Sequence, residues 1–104
     1  MVMFVMKWDV HPDKKEAYAG WTANAIRRTL AVPGVVEFRA YRVAAGSSQV
    51  VVTYEFPDMA TWVNWYTSDE AQAVFDELRT LAAGVVTELW GPSPLVPAPI
   101  RPGK

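Results

Sequence analysis

Alternation along the first ten residues narrows the fold more than any other feature of the chain. In "VMFVMKWDV" (Val2 to Val10) Phe4, Met6 and Trp8 fall on one side of an extended backbone and Val5, Lys7 and Asp9 on the other, since successive side chains of a strand point to opposite faces. The pattern returns in "VVEFRAYRV" (Val35 to Val43), where Val36, Phe38 and Ala40 oppose Glu37, Arg39 and Tyr41. "QVVVTYEF" (Gln49 to Phe56) is rich in β-branched and aromatic residues, and "AAGSS" before it is turn-like. These two segments predict a β-hairpin. "VVTELW" (Val85 to Trp90) supplies a fourth strand.

Helical patterns fill the gaps. Pro12 suits the first turn of a helix, and Asp13 and Glu16 suit the positive end of its dipole. Tyr18, Trp21, Ala25 and Leu30 roughly share one face before "VPG" (Val32 to Gly34) stops the run. Asp58 is a candidate N-cap for a short helix carrying Trp62, Trp65 and Tyr66. Thr67 and Glu70 have capping-box spacing. The helix from Asp69 places Val74, Phe75, Leu78 and Leu81 on one face, with Gly84 as a left-handed cap. The order is β-α-β-β-α-β, an α+β, ferredoxin-like arrangement on an antiparallel sheet, its second helical position split in two. Residues 1–91 form this domain. Residues 92–104 are a tail with five prolines, which favours extended polyproline II.

Composition removes several functions. A chain of 104 residues with 51% hydrophobic and 20% charged residues builds one folded domain with one core. Ten basic against eleven acidic residues leave no basic stripe for a phosphate backbone, so nucleic acid is not an expected partner. Without cysteine and with a single histidine, a disulfide framework, a thiolate nucleophile and a protein-built metal site are not expected. The apolar N-terminus is about half the length of a membrane span and has neither basic leader nor cleavage site. The reading is a cytoplasmic protein with no membrane partner.

Helices on one sheet face would cover Phe4, Met6, Trp8, Val36, Phe38, Ala40, Val52 and Tyr54. The other face holds Val5, Lys7, Asp9, Val35, Glu37, Arg39, Tyr41, Val51, Thr53 and Glu55, too apolar for an ideal wet surface and too charged for a dry core. Such a face can meet its own copy across a two-fold axis, with charges pairing in the shared space, and a homodimer is expected.

The element order, the "VPG" and the run "VVTYEFPDMATWVNWYTSDEAQAVF" (Val51 to Phe75) resemble the antibiotic biosynthesis monooxygenase family of dimeric α/β barrels, over about residues 2–90. The resemblance implies a homodimeric oxidoreductase, a monooxygenase working without a cofactor on a small aromatic or quinone-type substrate, in a cleft between helices and sheet. Expected cleft walls are Met6, Trp8, Trp21, Phe38, Tyr54, Trp65 and Phe75, with Phe4 and Trp62 also on the helix-facing side. Trp62 is expected to anchor the short helix, and Trp65 to offer a flat stacking surface. Trp65, Tyr66 and Asn64 are the candidates for catalysis, although Asn64 points away from Trp65 on an ideal helix. No residue stands out as a base. The alternative is a non-catalytic dimeric module that binds a small ligand or assembles on the same fold.

The heme-degrading branch of that family carries an asparagine on the first strand, a tryptophan on the short helix and a ligating histidine on the next. Trp65 matches the tryptophan, but the other two positions fall at Met6 and Phe75. His11 lies in the loop opening the first helix. Heme degradation is therefore not expected.

Overall fold

A computed structural model describes residues 1–103. Strand β1 (Val2–Val10) leads through a single 3-10 turn (Pro12–Lys14) into helix α1 (Lys15–Ala31), followed by β2 (Glu37–Arg42), β3 (Val50–Phe56), α2 (Met59–Tyr66), α3 (Asp69–Leu81) and β4 (Ala82–Trp90). The four strands form one antiparallel sheet in the order β2-β3-β1-β4. Helices cover one face, and the core joins Phe4, Met6, Trp8, Val52, Tyr54 and Phe56 from the sheet to Trp65, Ala71, Phe75 and Leu78 from α2 and α3. The fold is ferredoxin-like α+β. No helix among the described residues is long and apolar enough to cross a membrane.

Several local expectations are corrected. Leu30 is exposed, and the buried residue in the last turn of α1 is Thr29. It stands four residues after Ala25, so it stays on the Tyr18–Ala25 face where Leu30 rotates off it. Val36 and Ala40 are also exposed. Val36 precedes β2, and Ala40 lies on an edge strand that the helices do not fully cover. Helix α3 is capped by Ser68, whose Oγ accepts from the Ala71 amide, while Thr67 closes α2 and donates its hydroxyl to the Val63 carbonyl. Asp58 does cap α2, accepting from the Thr61 amide at 2.8 Å.

Two glycines answer to geometry. Gly34 has φ +126°, and a Cβ there would stand 2.8 Å from Thr61 Cγ2, so only glycine lets the "VPG" turn pass beneath α2. Gly84, with φ +62°, is not a helix cap, because α3 ends at Leu81 and β4 starts at once. The β1–β4 register slips between Lys7, opposite Val86, and Asp9, opposite Ala83. Gly84 and Val85 thus share the place opposite Trp8, a bulge whose first residue is left-handed. The bulge extends the final strand three residues earlier than its apolar run begins.

Candidate functional site

Helix α1 packs alongside α3. Between these helices and the β1–β3–β2 part of the sheet is a cavity of about 230 Å³. Tyr18, Trp21, Thr22, Ala25 and Ile26 face it from α1, Val74, Phe75 and Leu78 from α3, and Met6, Trp8, Phe38, Ala40, Val50, Val52 and Tyr54 from the sheet. It is not sealed from solvent: Tyr18, Trp21, Thr22, Ile26, Phe38 and Val50 on its wall are half-buried and Ala40 is exposed. An apolar cavity of about 150 Å³ takes up benzene, and drug-sized ligands need about 300 Å³ or more. A molecule of one or two rings is the scale that fits.

None of the lining residues is Asp, Glu, Lys, Arg or His. The polar groups in the wall are few and mostly engaged. Trp21 Nε1 donates to Glu77 Oε1 at 2.8 Å, Thr22 Oγ1 to the Ala19 carbonyl at 3.1 Å, and Tyr54 Oη to Thr29 Oγ1 at 3.2 Å. Trp8 Nε1 donates to Tyr18 Oη at 3.3 Å. Tyr18 thus accepts, and its own proton has no acceptor among the described residues. Burial pushes the Tyr54 hydroxyl up to about 12 and raises that of Tyr18, so both remain neutral phenols.

Trp21 is held from outside the cavity. Glu77 accepts from it and, through both oxygens, from Arg28 Nη1 and Nη2 at 2.7 and 2.9 Å, while Arg28 Nε reaches Glu70 at 2.6 Å. The Arg28 guanidinium holds the Glu77 carboxyl well below the usual range, at about 2. The bond network ties α1 to α3 across the top of the cavity.

The three residues singled out on the short helix do not meet there. Trp65 is fully buried and does not line the cavity: its ring packs against Phe4, Tyr54, Phe56 and Phe75, and Nε1 donates to the Thr29 carbonyl at 2.9 Å. It is the anchor of α2. Asn64 is exposed. Tyr66 stacks on Trp62, centroids 5.0 Å apart, and the pair borders a separate hollow of about 160 Å³ with Phe4, Thr87, Glu88 and Leu89. Trp62, expected as the anchor, is half-buried there, and its Nε1 is buried with no partner among the described residues. Met6, Trp8, Trp21, Phe38, Tyr54 and Phe75 do come together on the cavity wall.

Helical spacing puts Tyr18 and Ala25 on the inner face of the first helix without marking them as site residues, and it gives Thr22 and Ile26 no distinction. The signal was available in the spacing of Tyr18, Trp21 and Ala25. What spacing does not give is the height of α1 above the sheet, which decides whether that face fills a core or roofs a cavity. Among the described residues, no group of three His, Cys, Asp or Glu side chains could hold a metal ion. Heme does not fit either, because Phe75 offers iron no ligand and the space is too small.

Fold and cavity together define a ferredoxin-like α+β protein with an apolar ligand-sized space under its first helix. A family profile described as antibiotic biosynthesis monooxygenase matches residues 1–77, and the chain belongs to that family. Similar solved structures include a dabb family protein with a ferredoxin-like fold from Mesorhizobium loti, 16% identical with TM-score 0.78, the match covering 88% of this chain and 96% of that one. SnoaB from Streptomyces nogalater, described as a cofactor-independent oxygenase, is 19% identical with TM-score 0.70 over 86% and 89% of the two chains. A dimeric ferredoxin-like protein of unknown function from Thermobifida fusca is 11% identical with TM-score 0.71 over 86% and 88%. At these identities the likeness is one of fold. A comparison with curated proteins returns no match.

Proposed function

We propose that this protein is a cofactor-independent monooxygenase that takes a small aromatic or quinone-type molecule into the cavity beneath α1. The observation that carries the reading is the cavity itself, aromatic-walled and of one- to two-ring size. Family membership and the described activity of SnoaB support the reaction class. In such a reaction a ring CH₂ gives up two hydrogens and four electrons to O₂; one oxygen atom becomes the new carbonyl and the other leaves as water. The enclosed wall keeps bulk water from the oxygen adduct. With no charged side chain on that wall, the first proton leaves to water at the mouth, which favours substrates with acidic C–H or O–H groups.

The same lack of a charged acid or base favours a second reading, a module that binds such a molecule without transforming it. Oxygen uptake with a panel of one- and two-ring phenols and ketones that carry an activated ring CH₂, such as 2-tetralone, separates the two. Uptake by the wild type that is lost in Ala25→Leu, which fills the cavity, is the expected result. Uptake that survives in Ala25→Leu places the chemistry elsewhere, and binding without uptake favours the module.

We further propose a homodimer through the open sheet face. Tyr41, Val86 and Trp90 on that face are each close to half exposed, an apolar surface that a second copy would cover. Two ion pairs on that face close within one chain, Arg39 with Glu37 at 2.7 Å and Lys7 with Glu88 at 3.7 Å. Cytoplasmic location is the simplest setting for this reading.

A further inference from the structure

We propose that the Tyr18 hydroxyl, held by Trp8, is the donor that grips a single oxygen atom of the ligand, so that the cavity selects a neutral one- or two-ring molecule carrying one carbonyl or comparable acceptor. The inference rests on the cavity being the ligand site.

The argument is one of hydrogen-bond satisfaction. Every other side-chain N–H and O–H of the cavity wall is spent on the protein: Trp21 on Glu77, Thr22 on Ala19, Tyr54 on Thr29, and Trp8 on Tyr18 itself. Tyr18 alone among them accepts and has a proton left to give. Tyr18 is half-buried, so its O–H turns to water in the free protein, and a ligand that displaces that water must offer an acceptor in its place or leave the donor unpaired. The Trp8 bond fixes the direction of the phenol, since the indole N–H occupies one lone pair and leaves the O–H to turn toward open space. Burial keeps Tyr18 neutral, hence a donor rather than an anion, across the physiological range. A ligand arriving as an anion would find no cation on the wall to compensate its lost hydration, so the molecule enters neutral and any ionisation follows binding, with the charge on the oxygen that Tyr18 holds. A hydrocarbon of the same shape would leave Tyr18 unpaired. A ligand with several hydroxyls would bury more polar groups than the wall can satisfy.

The test compares two probes of one shape, 1-tetralone with its carbonyl and tetralin without it, by calorimetric titration of the wild type and Tyr18→Phe. The wild type is expected to prefer tetralone over tetralin, and Tyr18→Phe to lose about five- to tenfold of tetralone affinity while tetralin affinity stays the same or rises. Trp8→Phe, which keeps the phenol but frees its orientation, is expected to lose part of the same preference. If tetralin binds and Tyr18→Phe leaves the ratio of the two affinities unchanged, the donor role is overturned while the cavity remains a binding site. If neither probe binds the wild type up to its solubility limit, the cavity reading fails, and the donor role with it.

Discussion

Trp62 and Trp65 stand three residues apart on one short helix and meet opposite conditions. Trp65 is wholly enclosed and its N–H is paired, whereas the Trp62 N–H is buried with no acceptor among the described residues. Trp65→Phe removes ring volume and strands the Thr29 carbonyl, at an expected cost of about 2–3 kcal/mol. Trp62→Phe keeps a ring beside Tyr66 and deletes an unpaired donor, so its stability is expected within about 1 kcal/mol of wild type. Urea unfolding of both variants checks the contrast. Sequence spacing brought the rings together on a helix but assigned their roles the wrong way round, because helical spacing fixes which side of α2 a ring lies on and not how deep the helix sits there. Thr29 shows the same limit. A threonine in the last turn of a helix has no sequence mark of burial, yet it accepts from Tyr54 and from Trp65 through two different oxygens.

At the scale of elements, the α1–α3 connection is electrostatic on its outer side and sets how firmly Trp21 roofs the cavity. Glu77 titrates well below an ordinary carboxylate, near 2. A depressed folded value means that the contribution is present above the unfolded carboxylate range and is lost as pH falls toward 2. The stability difference between wild type and Glu77→Gln is therefore expected to be largest near neutrality and to shrink between about pH 4.5 and 2. Its size will be modest, since the Glu77 side chain is 41% exposed and solvent screens the pair. Thermal unfolding of both proteins across that range measures it. At the β4 bulge, Gly84→Ala forces an L-residue into a left-handed conformation and is expected to cost about 1–2 kcal/mol. Existence and order of the elements were legible from alternation, caps and turn residues. The bulge was not, because a glycine after an apolar helix reads equally as a cap, and only the register against Trp8 separates the two.

For the whole molecule, one helix layer covers one sheet face, while on the other Val5 and Thr53 are buried within the chain and Tyr41, Val86 and Trp90 remain for a proposed partner. Val86 is 46% exposed there and pairs with Lys7 on β1. Val86→Lys sets two like charges side by side on the proposed interface and is expected to leave the monomer folded while weakening the dimer at least tenfold, as read by sedimentation at micromolar concentration. A wild type that sediments as a monomer there contradicts the dimer. The proposed ligand site stands on the opposite face and within one chain, so its ligand affinity is expected to survive the loss of the partner. An amide-resolved nuclear magnetic resonance titration of the wild type with 1-tetralone tests the proposed site most directly. Saturable shifts clustered at Tyr18, Trp21, Ala25 and Phe38 are the expected result. Shifts confined to Trp62, Tyr66 and Thr87, or none at saturation, would contradict a ligand site beneath α1.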